Sequence, residues 1–230
     1  MRILITGGAG YLGSIFTEHL LSQGEITNLV VYDNMMYNQT SLISHTWRGN
    51  FEYVYGDVRD KEKIIPYIER ADHIIHLAAI SNDPMGEEFE KVTKEINQDS
   101  SIFIAREAIR GKSKSFVFAS SCSVYGEGSS SARSEIDRVN PLTAYAKSKI
   151  GTEEALKVLE NKCATKITCL RFATACGYSP NLRLDLVLND FVATALNTNS
   201  IEILSDGSPW RPLIDVEDMC RAIFWACHRE

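Results

Sequence analysis

Residues Thr6-Gly7-Gly8-Ala9-Gly10-Tyr11-Leu12-Gly13 follow directly on the apolar run Ile3-Leu4-Ile5, so a strand must break into a glycine-rich turn and re-form at once as a helix. Each glycine has a task in such a turn. Gly7 makes it tight, Gly10 lets a pyrophosphate approach the backbone, and Gly13 lets the helix pack hard on the strand. The backbone N–H groups of Tyr11 and Leu12 and the positive end of the helix dipole then face an anion. On its own the pattern also suits an ordinary strand-to-helix turn, and the residues downstream of it narrow the choice. Leu12 to Gln23 reads as a helix with Leu12, Ile15, Phe16, Leu20 and Leu21 on or near one face. A second apolar run, Leu29-Val30-Val31-Tyr32, ends at Asp33 with Asn34 beside it, and Asp33 lies twenty residues beyond Gly13. A carboxylate at the tip of the second strand accepts hydrogen bonds from adenosine ribose hydroxyls and repels a 2′-phosphate. The pattern therefore predicts NAD rather than NADP.

Strand-like and helix-like segments then alternate, which predicts an α/β fold with a doubly wound parallel sheet of the Rossmann type. Strands are expected near 2–6, 28–33, 51–55, 72–77, 114–120 and 166–172. Helices are expected near 11–23, 61–69, 93–110 and 143–160, with a weak pattern near 39–47. Right-handed crossovers place ligands beyond the carboxyl ends of the strands. The rhythm changes after residue 172, so residues 1–172 read as the nucleotide-binding domain. Residues 173–230 read as a partial substrate-binding lobe interleaved with the last elements of that domain, either small or cut short at Glu230. In this tail a loop over Gly177 to Arg183 leads to a helix near 184–197. A short strand at Ile201 to Leu204, a turn at Asp206-Gly207 and a final helix from Val216 follow. Ser129-Ser130-Ser131 reads as a brief mobile loop.

With 44% hydrophobic and 23% charged residues, the 230-residue chain suits a globular core. A formal net charge of −6, with no cluster of Lys and Arg, argues against a nucleic-acid surface. No apolar run approaches the ~20 residues that span a bilayer, and the chain enters a strand without a signal peptide, so the expectation is a cytoplasmic protein with no membrane partner. Six cysteines show neither a C-x-x-C pair nor Cys/His spacing suited to zinc, so they read as reduced thiols and no metal is expected.

Chemistry enters with Tyr145-Ala146-Lys147-Ser148-Lys149. Tyr145 and Lys149 share a helix face. An ammonium beside a phenol favours the phenolate, which can then accept a proton near neutral pH. Upstream, the strand Phe116-Val117-Phe118-Ala119 ends in Ser120-Ser121-Cys122-Ser123, which delivers hydroxyls where the sheet opens. The glycine turn, Asp33, the serine strand and the Tyr/Lys pair occur in a consistent order.

These motifs resemble the extended short-chain dehydrogenase/reductase family, in particular its NAD-dependent nucleotide-sugar epimerases and dehydratases, over nearly the whole chain. The resemblance includes Gly56-Asp57-Val58-Arg59-Asp60, where Asp57 and Val58 are implied to lie by the adenine. It includes Leu77, Ala78 and Ala79, implied to line the cofactor, and Asn97, tied to the active-site scaffold and counted with the cofactor residues. Leu170-Arg171-Phe172-Ala173-Thr174 resembles the strand leading into the nucleotide-sugar loop. Trp210-Arg211-Pro212-Leu213-Ile214-Asp215 resembles the segment whose arginine grips the substrate diphosphate. The resemblance makes Tyr145 the general base and acid, Lys149 the nicotinamide-ribose ligand that tunes it, and Ser121 the residue that orients the reacting hydroxyl. Arg211 becomes a bidentate phosphate clamp and Arg183 a second anion contact. Ser81, Asn82, Cys122, Ser123 and Thr174 complete the expected substrate lining.

Two departures matter. Sugar 4,6-dehydratases carry an acidic pair where this chain has Cys122 and Ser123, and many epimerases carry an asparagine where it has Thr174. The expected function is a nucleotide-sugar 4-epimerase acting through a transient 4-keto sugar. A 4-ketoreductase or dehydrogenase comes next, then a 4,6-dehydratase, then a non-catalytic NAD-binding module. The resemblance also implies a homodimer through a four-helix bundle built from the helices near 93–110 and 143–160.

Overall fold

The computed structural model describes residues 1–23, 26–81, 88–126, 132–203, 206 and 210–229. Six strands form one parallel sheet: β1 (Arg2–Thr6), β2 (Asn28–Asp33), β3 (Phe51–Tyr55), β4 (His73–His76), β5 (Ser115–Ser121) and β6 (Lys166–Phe172). Their order is β3-β2-β1-β4-β5-β6. The chain starts at the middle of the sheet, runs to one edge, and returns to build the other half from β4. β1 and β4 are therefore neighbours across the switch point, with a crevice beyond their carboxyl ends.

Helices cover both faces: α1 (Tyr11–Ser22), α2 (Lys61–Arg70), α3 (Glu90–Lys94), α4 (Ser100–Arg110), α5 (Ala144–Glu160), α6 (Val187–Thr198) and α7 (Val216–His228). Alternation along β1 sends Ile3 and Ile5 to one face and Leu4 to the other. On the first face they meet Phe16 and Leu20 of α1 and Met219, Ile223 and Ala226 of α7. On the second, Leu4 joins Tyr32, Ile64, Ile68, Ile104, Phe116 and Leu156 from α2, α4, α5 and the sheet. Burial of such side chains, each removing roughly 1.5–3 kcal/mol of apolar exposure, makes the sheet a rigid platform for the loops at its carboxyl edge.

The predicted helix near 93–110 starts earlier and is not uniform, because a π-helical turn, Glu95–Asp99, joins α3 to α4. Such turns free backbone groups from the regular pattern. Here the Asn97 carbonyl accepts the hydroxyls of Ser101 (2.7 Å) and Thr152 (3.1 Å). The weak pattern near 39–47 is a 3-10 turn over Ser41–His45.

The tail departs from expectation. Residues 201–203 lie in no strand, and Ile201 and Ile203 are exposed, so the alternating Ile201-Glu202-Ile203 finds no sheet edge to join. A second, two-stranded parallel sheet forms instead from β7 (Thr174–Cys176) and β8 (Leu213–Asp215). α7 then returns to pack beside α1, so residues 216–228 stand in the nucleotide-binding layer. Leu204, Gly207 and Ser129 to Ser131 lie outside the described residues. Among the described residues no helix is long and apolar enough to cross a membrane.

Candidate active site

Gly7 takes φ +70° at the end of β1, and a Cβ there would stand 2.5 Å from the backbone N of Ala78 across the switch-point crevice. At Gly13 a Cβ would meet the Gly8 Cα at 2.5 Å and the Gly7 oxygen at 2.6 Å. Both positions are closed by the protein itself. Gly10 differs: its φ is −72°, and an added Cβ would touch only the Gly7 oxygen, at 3.4 Å. The fold has room for a side chain at Gly10, so its absence keeps space for something from outside. Gly10 also opens α1 without a side-chain cap, whereas α2, α5 and α7 are capped by Asp60, Thr143 and Asp215. An uncapped helix start over open space suits a phosphate.

Asp33 ends β2 beside this turn. Its carboxylate accepts the N–H of Ala9 (3.0 Å) and of Met35 (2.8 Å). Burial raises its pKa, opposed by these backbone donors. The carboxylate keeps capacity for a ribose hydroxyl. Asn34 is exposed, with its Oδ1 on the N–H of Met36. The Asp57 carboxylate is held by the Arg59 guanidinium, at 2.7 Å to Nη2, which lowers its pKa. The Val58 side chain is buried in the cluster that also holds Tyr32 and Ile64. Leu77, Ala78 and Ala79 leave β4 along the crevice, Leu77 donating its N–H to the Thr6 carbonyl (2.9 Å). Asn97, completely buried, accepts the N–H of Ile80 (2.8 Å) and donates to the Ile80 carbonyl (2.8 Å) and to Ser148 Oγ (3.3 Å). With its amide so engaged, Asn97 ties the loop after β4 to helix α5.

β5 and α5 carry the candidate residues Ser121, Tyr145 and Lys149. Ser121 closes β5 and caps the 3-10 turn Cys122–Tyr125 by accepting the Ser123 N–H (3.2 Å). Thr143 caps α5, following Pro141, and sets Tyr145 and Lys149 on successive turns. Lys149 is almost completely buried, donates to the Ala119 carbonyl (2.7 Å), and lies 4.7 Å from the Phe118 ring centroid and 5.4 Å from that of Tyr145. Burial pushes its pKa down to about 7, and the Glu153 carboxylate acts in the opposite direction. Cys122 is part-buried, its thiol pushed up by burial, with Arg211 close enough to act the other way. Ser123 Oγ is buried and has no hydrogen-bond partner among the described residues. Sequence reasoning missed Glu153 and Arg171. Arg171 of β6 pairs in register with Ser120 and binds Glu153 of α5, and only strand pairing reveals this.

A polar loop after β7 lies over the glycine turn. Tyr11 Oη donates to the Gly177 carbonyl (2.7 Å), and Ser179 Oγ donates to the Tyr11 carbonyl (2.7 Å). Asn181 Nδ2 donates to the Ala9 carbonyl (2.7 Å) and to Ser41 Oγ (2.8 Å). Asn189 of α6 binds the Gly177 N–H (3.1 Å) and the Arg183 carbonyl (3.0 Å). None of Ser179, Asn181 or Asn189 stands out in the sequence, whose only signal there is a turn-rich composition. If this strap retains the cofactor, Asn181→Ala, which removes two hydrogen bonds worth about 1 kcal/mol each, speeds NAD release about tenfold or more. Stopped-flow displacement of bound NADH measures this, and an unchanged rate refutes it.

Of the expected substrate residues, Arg183 forms a fork with Asp185 (3.0 and 2.5 Å) and donates to Ser81 Oγ (2.8 Å), near enough to Tyr145 to feel its charge. Arg211 is exposed. Thr174 donates its N–H to the Pro212 carbonyl (3.0 Å), joining β7 to the Arg211 segment. Asn82 lies outside the described residues. All six cysteines are free, with Cys176, Cys220 and Cys227 buried. Among the described residues no group of three His, Cys, Asp or Glu could hold a metal.

The sequence profile of the NAD dependent epimerase/dehydratase family matches residues 3–230. The chain is similar to the low-salt glycan biosynthesis protein Agl12 of Haloferax volcanii, 27% identical over 97% of this chain and 72% of that protein. It is similar also to a UDP-glucose 4-epimerase of Halalkalibacterium halodurans, 28% identical over 99% of this chain and 71% of that protein. Among solved structures, UDP-glucuronic acid 4-epimerase from Bacillus cereus, in complex with UDP-glucuronic acid and NAD, superposes with a TM-score of 0.88. It is 25% identical, covering 100% of this chain and 74% of that one. DesIV, the dTDP-glucose 4,6-dehydratase of Streptomyces venezuelae with NAD bound, gives 0.87 at 25% identity, covering 97% and 70%.

Proposed function

Because the chain belongs to the NAD-dependent epimerase/dehydratase family, we propose that it is a nucleoside-diphosphate-sugar 4-epimerase. The observation that carries the reading is the junction of β5 and α5. Ser121 stands at the strand end, and Tyr145 lies on the neighbouring helix over the Lys149 ammonium. Neither of the two residues after Ser121 is a carboxylate. Water elimination needs an acid there, and the Cys122 thiol, pushed up by burial, is poorly suited to give and take a proton at neutral pH. UDP-sugar 4-epimerases among the relatives support the same choice.

In this reading the glycine turn and Asp33 hold NAD, with Asp57, Val58 and Leu77 to Ala79 along its adenine and crevice sides. NAD supplies reversible hydride acceptance. Tyr145 takes the proton from the C4 hydroxyl and later returns one, Ser121 orients that oxygen, and Lys149 steadies the phenolate. Arg211 and Arg183 receive the diphosphate, while Ser81, Asn82, Cys122, the unpartnered Ser123 hydroxyl and Thr174 line the sugar. The proposal also includes a cytoplasmic setting and a homodimer through a four-helix bundle of the helices near 93–110 and 143–160.

A panel of UDP-, GDP-, CDP- and dTDP-hexoses followed by NMR tests the reaction. The expected outcome is inversion at C4 of a UDP-hexose with no net change in NADH. Stoichiometric NADH consumption would make the protein a reductase, and loss of water would make it a dehydratase. Unchanged sugars across the panel would leave only a binding module.

A further inference from the structure

The least exposed ion pair among the described residues joins Glu153 to Arg171. Arg171 Nε reaches both carboxylate oxygens at 3.1 Å, Nη2 reaches Oε2 at 2.6 Å, and Nη1 donates to Tyr125 Oη at 2.9 Å. Ser120 Oγ donates to the remaining side of the carboxylate in a short hydrogen bond. Burying two charges yields little net stability, and an apolar pair of similar volume would hold β6 to α5 as well. The placement therefore calls for a reason other than packing. Tyr145, Lys149 and Glu153 recur every fourth residue along one row of α5. Lys149 is tied to the Ala119 carbonyl, and Glu153 to the hydroxyl of the next residue, Ser120.

We propose that Glu153 is a positioning residue for the reaction: clamped by Arg171 and Ser120, its carboxylate keeps the Lys149 ammonium charged and seated beneath Tyr145. This rests on the base role assigned to Tyr145. Among the described residues, the groups facing Lys149 are few. They are Glu153 and Tyr145 on its own helix, the Phe118 ring on β5, Cys169 on β6, and His76 on β4, itself pushed down to about 3 by burial and by Lys149. Cys169, pushed up to about 12 by burial, is uncharged. Glu153 is thus the negative charge that offsets desolvation of the ammonium. Without it, Lys149 loses its proton at lower pH and the phenolate loses its supporting cation.

The NAD-loaded protein provides the test. Tyr145 ionisation is read as phenolate absorbance, taken as the difference between each protein and its Tyr145→Phe counterpart. In Glu153→Gln, which keeps the shape and removes the charge, the midpoint moves up by about one pH unit. The acid limb of kcat/KM follows, and activity near neutrality falls about tenfold. Glu153→Asp returns the midpoint toward that of the parent. Arg171→Gln, which leaves the carboxylate and removes its balancing cation, moves the midpoint down, and carries the test alone if Glu153→Gln fails to fold. Equal midpoints in all variants, or an upward shift in both Glu153→Gln and Arg171→Gln, would overturn the proposal. A parent protein in which Tyr145 never titrates would instead overturn the base assignment.

Discussion

Tyr145→Phe lowers turnover about 10³-fold while the protein still carries its NAD. The ring that rests over Lys149 is preserved, and so is the Lys149 bond to the Ala119 carbonyl, because neither depends on the phenolic oxygen. Only the group proposed to exchange a proton with the sugar hydroxyl is lost. A change confined to proton transfer lowers kcat and kcat/KM together and spares cofactor affinity. Steady-state kinetics with the accepted nucleotide sugar, paired with the amount of nicotinamide released on denaturation, checks both halves. Turnover within tenfold of the parent would remove Tyr145 from the mechanism. Loss of bound NAD would show that the residue supports the pocket.

Gly13→Ala and Gly10→Ala should separate packing from ligand approach. At Gly13 the new methyl meets backbone at 2.5 and 2.6 Å, and backbone cannot swing aside like the end of a side chain. The expected cost is about 1–3 kcal/mol, a fall in Tm of about 3–10 °C, together with loss of NAD binding. At Gly10 the methyl meets only the Gly7 oxygen, at 3.4 Å, so Tm stays near that of the parent. The methyl enters the space in front of the uncapped start of α1, and NAD affinity falls about 10- to 100-fold. Thermal unfolding without cofactor and NADH titration measure the two effects. Gly49→Ala, where nothing lies within 4 Å, serves as the neutral control. A Gly10→Ala protein that binds NAD like the parent would contradict the phosphate position assigned to the turn.

The central sheet and the motif residues at its carboxyl edge were legible because their signals are local. An apolar run of three or four residues followed by a glycine turn or a periodic helix fixes both an element and its exit point. The tail was less legible. Ile201-Glu202-Ile203 alternates like a strand yet stays exposed, whereas Leu213-Ile214-Asp215, too short to show a period, becomes one through pairing with Thr174–Cys176. A three-residue strand is decided by an available partner, which is tertiary information. The same applies to Arg171, which reads as part of an apolar strand until its register places it beside Ser120 and opposite Glu153. The contacts of Asn97 with Ile80 and Ser148 were not legible either, because they depend on the π turn that carries it.

The strap over the glycine turn has a consequence for the order in which the molecule is completed. Its bonds from Tyr11 to Gly177, from Ser179 to Tyr11 and from Asn181 to Ala9 span 166, 168 and 172 residues. During synthesis the turn emerges about 170 residues before its roof. Throughout that interval the Ala9 and Tyr11 carbonyls face water. Closing so long a loop carries an entropic cost that is recovered only when the distant segment docks. The nucleotide pocket therefore takes its final shape only after the strap, 166 to 172 residues further along the chain, has docked on the turn.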